Sequence, residues 1–243
     1  MSSRRLLLRA ALLCLALPGA ALTSTSATAA EVIVFGGTGQ LGAEIVRALL
    51  GAGHEVTVFR RESSDPSRLQ GLKVKTVVGD AAVDRDVQAA FAARKYDVAV
   101  NALAKGRTDP GEFYATTQRS ITAGARASGV RQVILHSSVG AGESRAIYPE
   151  ANWPRLKDVL MAKDVGEREL IASGVPYTIM RNAVLRDDAP GSRERAALTQ
   201  DQRRFGAVTR SGLGRLTAEC TMKPDCLGKI FHAIDPQVAL PQR

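Results

Sequence analysis

The stretch EVIVFGGTGQLGAEIVRALL, Glu31 to Leu50, decides how this chain folds. Val32 to Phe35 are apolar without alternation, the pattern of a strand buried on both faces of a sheet. From Leu41 onward the apolar residues recur at helical spacing, through Ile45, Val46 and Leu49. Between strand and helix stand Gly36, Gly39 and Gly42. Gly36 permits the tight turn, Gly39 lets an anion approach the backbone, and Gly42 lets the helix pack closely on the strand. The backbone amides of Thr38, Gly39, Gln40 and Leu41 then converge at a helix N-terminus, where a pyrophosphate group belongs. A glycine triplet alone is a weak signal, and a tight turn with no ligand is the competing reading. The strand-turn-helix setting is what points to a nucleotide.

Downstream, the same alternation repeats. The runs EVTVF (55–59), KVKTVV (73–78), DVAVNAL (97–103), QVILHSS (132–138) and PYTIMR (176–181) read as further buried strands, and segments such as DVQAAFAARK (86–95) read as helices. The fold class expected is α/β: a doubly wound parallel Rossmann sheet in a single domain over residues 31–243. Irregular insertions on the substrate side are expected near residues 138–155 and 186–205. The end of the second strand should choose the nucleotide. A carboxylate there would bond the ribose 2′-hydroxyl of NAD(H), but Arg60 and Arg61 occupy the place. Guanidinium groups suit a 2′-phosphate, so NADP(H) is expected before NAD(H), with a solvated arginine pair as the alternative. After the third strand Asp80 is placed to accept from the adenine amino group, or else to cap a helix.

Composition narrows the function classes. The chain has 243 residues, 45% of them hydrophobic and 23% charged, which suits one globular domain with a real core. Of 33 basic side chains Arg4, Arg5 and Arg9 lie in the first 30 residues, leaving 30 against 24 acidic ones in the body. Those arginines are dispersed and not interleaved with aromatics, so nucleic acid is not an expected partner. With Cys14 in the leader, Cys220 and Cys226 are too few for a four-ligand metal site, and no metal is expected. They read as two chance cysteines near one helix, a disulfide after export being the alternative. Residues 1–30 have the three parts of an export signal: basic residues, the apolar run Ala10 to Leu17, and the small residues of SATAA. The run is too short to span a bilayer, so no stable membrane span is expected. Ser3-Arg4-Arg5-Leu6-Leu7-Leu8-Arg9 resembles the twin-arginine consensus, whose route carries folded, cofactor-loaded proteins. A general secretory signal with adjacent arginines is the alternative. The expectation is a periplasmic protein loaded with nucleotide before export.

FGGTGQLG, VFRR, VVGDAAVD, NALA, VILHSSVGAG, KDVGERELIASGVPYTIMRN and LGKIFHAID, in that order, resemble an atypical short-chain dehydrogenase/reductase of the NmrA-like, NAD(P)-binding type. The resemblance implies a Rossmann sheet of about seven strands. It also implies that Asn101 and Ala102 lie beside the adenine ribose, that His136 to Ser138 lie at the nicotinamide end, and that Lys163 holds the nicotinamide ribose. Standard members of the larger group pair a serine with a tyrosine four residues before the lysine, because the lysine lowers the phenol pKa. Here the position four before Lys163 is Val159, and in the alternative register of Lys157 it is Trp153. Neither side chain is a proton donor.

The candidate catalytic residues are therefore Ser137 and Lys163. Asn182 is a further pocket residue, in a place where the family often has proline. An exposed Lys163 with Glu167 as its i,i+4 partner is the bland alternative. His136, alone in an apolar strand, reads as structural, and Tyr148 and Trp153 either stack on a flat acceptor or fill a small core. Two functions remain open: a reductase of a small flat acceptor, of quinone or flavin type, and an NADP(H) sensor or assembly factor that presents its surface to a redox partner. Sugar epimerase chemistry is a third, disfavoured by the missing tyrosine and the short C-terminal region.

Overall fold

The structure is a computed structural model that describes residues 29–187 and 191–240; residues 1–28 of the leader, with its arginine pair, lie outside the described residues. The expected alternation is present. Strands β1 (Glu31–Phe35), β2 (Glu55–Arg60), β3 (Lys75–Val78), β4 (Val98–Asn101), β5 (Gln132–Ser138) and β6 (Tyr177–Asn182) are linked by α1 (Gln40–Gly51), α2 (Asp84–Ala93), α3 (Phe113–Ala127) and α4 (Trp153–Ala172). After β6 come β7 (Val184–Arg186), α5 (Ser192–Arg195), β8 (Ala197–Thr199), β9 (Ala207–Thr209), α6 (Arg210–Cys220) and β10 (Lys229–Ile234). The main sheet has eight strands in the order β3-β2-β1-β4-β5-β6-β10-β8, while β7 and β9 form a separate parallel pair. All pairings in the main sheet are parallel except β8 on β10. The order in which strands are added reverses between β1 and β4, and the C-terminal ends on either side of that switch form the crevice where open α/β sheets bind ligands.

Each face of the sheet is buried under its own helices. Val32, Val34, Ile134 and Met180 join Ile45, Leu49, Leu213 and Leu216 of α1 and α6 in one core. Ile33, Phe35, Leu135 and Ile179 join Val87, Phe91, Ile121 and Leu170 of α2, α3 and α4 in the other. Adjacent residues of a strand thus enter opposite cores, the reason these strands are apolar without alternation.

Three expectations are corrected. The segment 186–205 is not wholly irregular: it forms α5 and β8, which closes the sheet edge against β10. β6 runs on through Arg181 and Asn182, because Ser137 and Ser138 of β5 continue to pair with them. Cys220 and Cys226 are joined by a disulfide, with their Cα atoms 5.5 Å apart. The chain turns back after α6 through Met222, a non-glycine residue at φ 58°. Gln132 Nε2 donates to the Cys220 carbonyl at 3.0 Å and Thr178 Oγ1 to the Cys226 carbonyl at 2.8 Å, so both ends of the turn are anchored to the sheet.

Candidate functional site

The site begins at the turn between β1 and α1. Gly36 has φ +84°, and a Cβ on it would lie 2.7 Å from the Ala102 carbonyl oxygen across the crevice. A Cβ on Gly42 would lie 2.0 Å from the Gly36 oxygen, so any side chain there would push the helix off the strand. Around Gly39 only the Gly36 oxygen, at 3.3 Å, would meet a Cβ, which leaves the outer face of the turn open. Gly39 caps α1 with no side-chain hydrogen bond, so the first-turn amides of Gln40 and Leu41 have no side chain competing for them. This arrangement fits a pyrophosphate.

From the turn a continuous groove runs both ways along the strand ends. One half, a cleft of about 180 Å³, is lined by Gly36, Thr38, Gly39, Arg60, Arg61, Asp80 and Ala102. The other half, about 270 Å³, shares Ala102, Leu103 and Ala104 with the first and is lined by Leu41, Ser137, Tyr148, Val159, Lys163 and Asn182. The expected nucleotide and catalytic residues thus fall on one groove, except for Gln40 and Asn101. Gln40 borders a surface depression with Glu44, Arg47 and Arg210 instead. Asn101 is buried, donates from Nδ2 to Gln118 Oε1 at 2.8 Å and accepts from the Leu103 amide at 3.1 Å, so its side chain shapes the crevice wall. A larger cavity of about 880 Å³ opens at the opposite, N-terminal ends of the strands, among Ala30, His54, Asp97, Arg131 and Arg215, away from the glycine turn.

In the adenosine half, Arg60 folds back, its guanidinium donating to the carbonyls of Arg61 and Glu62. Arg61 pairs with Asp109 at 3.2 Å. Asp80 accepts from the Ala82 amide at 2.9 Å in a local turn, and Val83 rather than Asp80 precedes α2, so Asp80 does not cap that helix. Phe59, Ser64 and Phe113 also line this half. Phe59 sits at the end of β2 beside the arginine pair, whose charge is the stronger sequence signal; Ser64 and Phe113 carry no local signal.

In the other half Ser137 is buried and its hydroxyl has no hydrogen-bond partner. A buried orphan hydroxyl at a strand end is a group awaiting a ligand. Lys163 is not the exposed lysine of the bland alternative: it is partly buried in mid-helix, and its Nζ reaches the His136 carbonyl at 3.4 Å. Burial lowers its pKa to about 8, against the opposing pull of Glu167. Glu167 is not its surface partner. It is buried and pairs with Arg181 of β6 through Arg181 Nη2 at 2.6 Å, while Arg181 Nη1 donates to Gln202 at 2.8 Å. Val159, one turn before Lys163, faces the groove as the family's tyrosine would. Tyr148 lines the groove, its ring edge-on to Trp153 and Phe205 at 6.3 and 6.2 Å, whereas Trp153 packs beneath the Arg145 guanidinium at 3.7 Å.

His136 is structural. Thr217 Oγ1 donates to the Leu213 carbonyl and therefore accepts from His136 Nε2 at 3.1 Å, which fixes the neutral tautomer. Burial, aided by the Lys163 charge, lowers the His136 pKa to about 3.

Comparison with known proteins agrees with this geometry. Residues 36–224 match the model of the NAD(P)H-binding family. Sterol demethylase protein B of Methylococcus capsulatus is 32% identical over 166 residues, 63% of this chain and 51% of its own. A 3-diazoavenalumate denitrifying reductase of a Streptomyces species is 29% identical over 174 residues, 64% of this chain and 56% of its own. The chain therefore spans about half the length of these relatives. The solved anaerobilin reductase of Escherichia coli O157:H7 shares the fold, with TM-score 0.76, 22% identity, 87% of this chain covered and 100% of its own. With the glycine turn, the crevice at the topological switch and a family match over most of its length, the chain belongs to the NAD(P)H-binding family, with a Rossmann fold.

Proposed function

We propose that this protein is an NADPH-dependent reductase of a small, flat acceptor of quinone or flavin type. The observation that carries the reading is the nicotinamide half of the groove: an orphan serine hydroxyl and a lysine face it, while Val159 stands where a proton-donating tyrosine is expected. The bound cofactor would supply a hydride. Ser137 would then bond the carboxamide or the acceptor, Lys163 the ribose hydroxyls, and Leu41, Leu160 and Tyr148 would exclude water. A conjugated acceptor that spreads the resulting charge suits a pocket into which α4 brings no tyrosine. Arg60 and Arg61 support NADPH over NADH, and the naming of one relative as a reductase agrees with turnover.

Export belongs to the same proposal. The leader motif motivates it, and the Cys220–Cys226 disulfide supports it, since such bonds persist in oxidising compartments.

The reading is tested with purified protein, NADPH and a panel of quinones, flavins and simple carbonyls, followed at the NADPH absorbance. Turnover of quinones or flavins is expected. The missing α4 tyrosine favours a second reading, a cofactor-binding sensor, and tight NADPH binding with no oxidation across the panel would replace the first with it.

A further inference from the structure

The groove contains a phenol that the α4 sequence pattern does not reveal. Tyr114, in the first turn of α3, lines the same half of the groove as Ser137, Val159 and Lys163. The Lys163 ammonium sits 4.3 Å from the centre of its ring. Gly166 makes this approach possible: a Cβ there would meet Gln118 Cβ at 3.1 Å and the Tyr114 carbonyl at 3.4 Å, so α3 and α4 touch backbone to side chain one turn beyond Lys163. The Tyr114 oxygen accepts the Lys105 amide at 3.0 Å. With that lone pair engaged by a donor, the phenol proton is directed elsewhere.

The geometry points to Tyr114 as the proton donor of this site, supplied from α3 in place of the α4 position occupied by Val159. This rests on the reductase reading and changes one part of it, the source of the proton. When an acceptor carbonyl takes up a hydride, its oxygen gains the electron pair of the C=O π bond. That oxygen then forms an O–H bond with the Tyr114 proton. The O–H bond of Tyr114 breaks, its electrons stay on the phenolate, and solvent returns the proton after product leaves. Lys163, at the face of the ring, positions the phenol. The acceptor class this implies is wider than charge-delocalising quinones: it includes electron-rich quinones and conjugated carbonyls, whose oxyanions are too basic to form unprotonated.

Tyr114→Phe keeps the ring under Lys163 and removes the hydroxyl, both its proton and the oxygen that accepts the Lys105 amide. NADPH affinity by calorimetry should be unchanged, which also reports that the variant is folded. Across a series of benzoquinones running from electron-poor to electron-rich, the kcat loss should grow with the basicity of the oxyanion formed, reaching about 100-fold at the basic end. A readout independent of turnover is the binding of 4-nitrophenol to the NADP-loaded protein, followed by its absorbance; its phenolate should bind Tyr114→Phe about tenfold more weakly. Equal loss across the series, no loss, or unchanged 4-nitrophenol affinity overturns Tyr114 as donor while wild-type quinone turnover leaves the reductase reading standing. Wild-type protein that binds NADPH and reduces nothing overturns both.

Discussion

Arg60 and Arg61 show what a single side chain position conveys and what it conceals. Their location at the end of β2 was legible in the sequence because the strand-turn-helix pattern fixes where the ribose lies. Their present contacts were not: Arg60 bonds nearby carbonyls and Arg61 bonds Asp109, across 48 residues of chain. These are exposed contacts of small net worth that a phosphate can displace. Replacing both arginines with alanine should therefore weaken NADPH more than NADH by about 1–3 kcal/mol, measured by calorimetric titration of each nucleotide. Equal weakening would remove the 2′-phosphate assignment. Glu167 is the opposite case. Four residues after Lys163 on a helix, it reads as a surface ion-pair partner, yet the rotation of α4 carries Gly166 and Glu167 inward to Gln118 and Arg181. Such a buried pair is expensive to break from one side, and periodicity cannot announce it when the buried stripe of a helix includes a carboxylate.

At the scale of elements, the pairing of α1 with α6 depends on the absence of a side chain. A Cβ on Gly214 of α6 would lie 2.7 Å from the Glu44 carbonyl of α1, so the two backbones nearly touch above the glycine turn. Gly214→Ala should destabilise the fold by about 1–3 kcal/mol in urea titration, since carbonyl oxygen within a helix cannot step aside. Gly51→Ala is the informative contrast: nothing lies within 4 Å of its Cβ and it occupies the last turn of α1, so helix propensity should leave the protein unchanged or up to about 1 kcal/mol more stable. Equal loss in both variants would mean that α1 is not packed as described. Five of the first six strands were legible because burial on both faces writes a nearly unbroken apolar run, and the edge strand β3, with Val78 exposed, by its β-branched residues. α3 is hard to read from spacing, because FYATTQRSITAGARA carries buried Thr117, Gln118 and Ser120, bonded to Phe113, to Asn101 and Thr122, and to Asp84, where a helix pattern leads one to expect apolar residues. Tyr114 was hidden with it.

For the whole molecule, stability should depend on pH through its histidines. The sequence has three, and burial lowers the pKa of His54, His136 and His232 alike. The unfolded chain takes up protons near pH 6.5 that the folded chain refuses, so stability is full above that value and falls as the solution is acidified. His136 alone, refusing its proton until about pH 3, removes about 1.4 kcal/mol per pH unit in that window. Glu31, held below its ordinary value of 4.5 by its hydrogen bond to Arg94, adds to the loss only at still lower pH. Urea midpoints measured at pH 7.5, 6 and 5 should decline in that order; a flat profile would show that His136 accepts a proton in the native state. The disulfide bears on the molecule's history as well. Gln132 and Thr178 grip the two cysteine carbonyls from the sheet, independently of the sulfur atoms, so the thiols meet once the sheet has formed. Folding in a reducing cytoplasm and oxidation later, on the far side of a membrane, are thus compatible steps. Under the proposed export, each molecule would carry a stamp of its itinerary: intact masses of the cytoplasmic and exported pools, once the leader is accounted for, should differ by the hydrogens lost from Cys220 and Cys226.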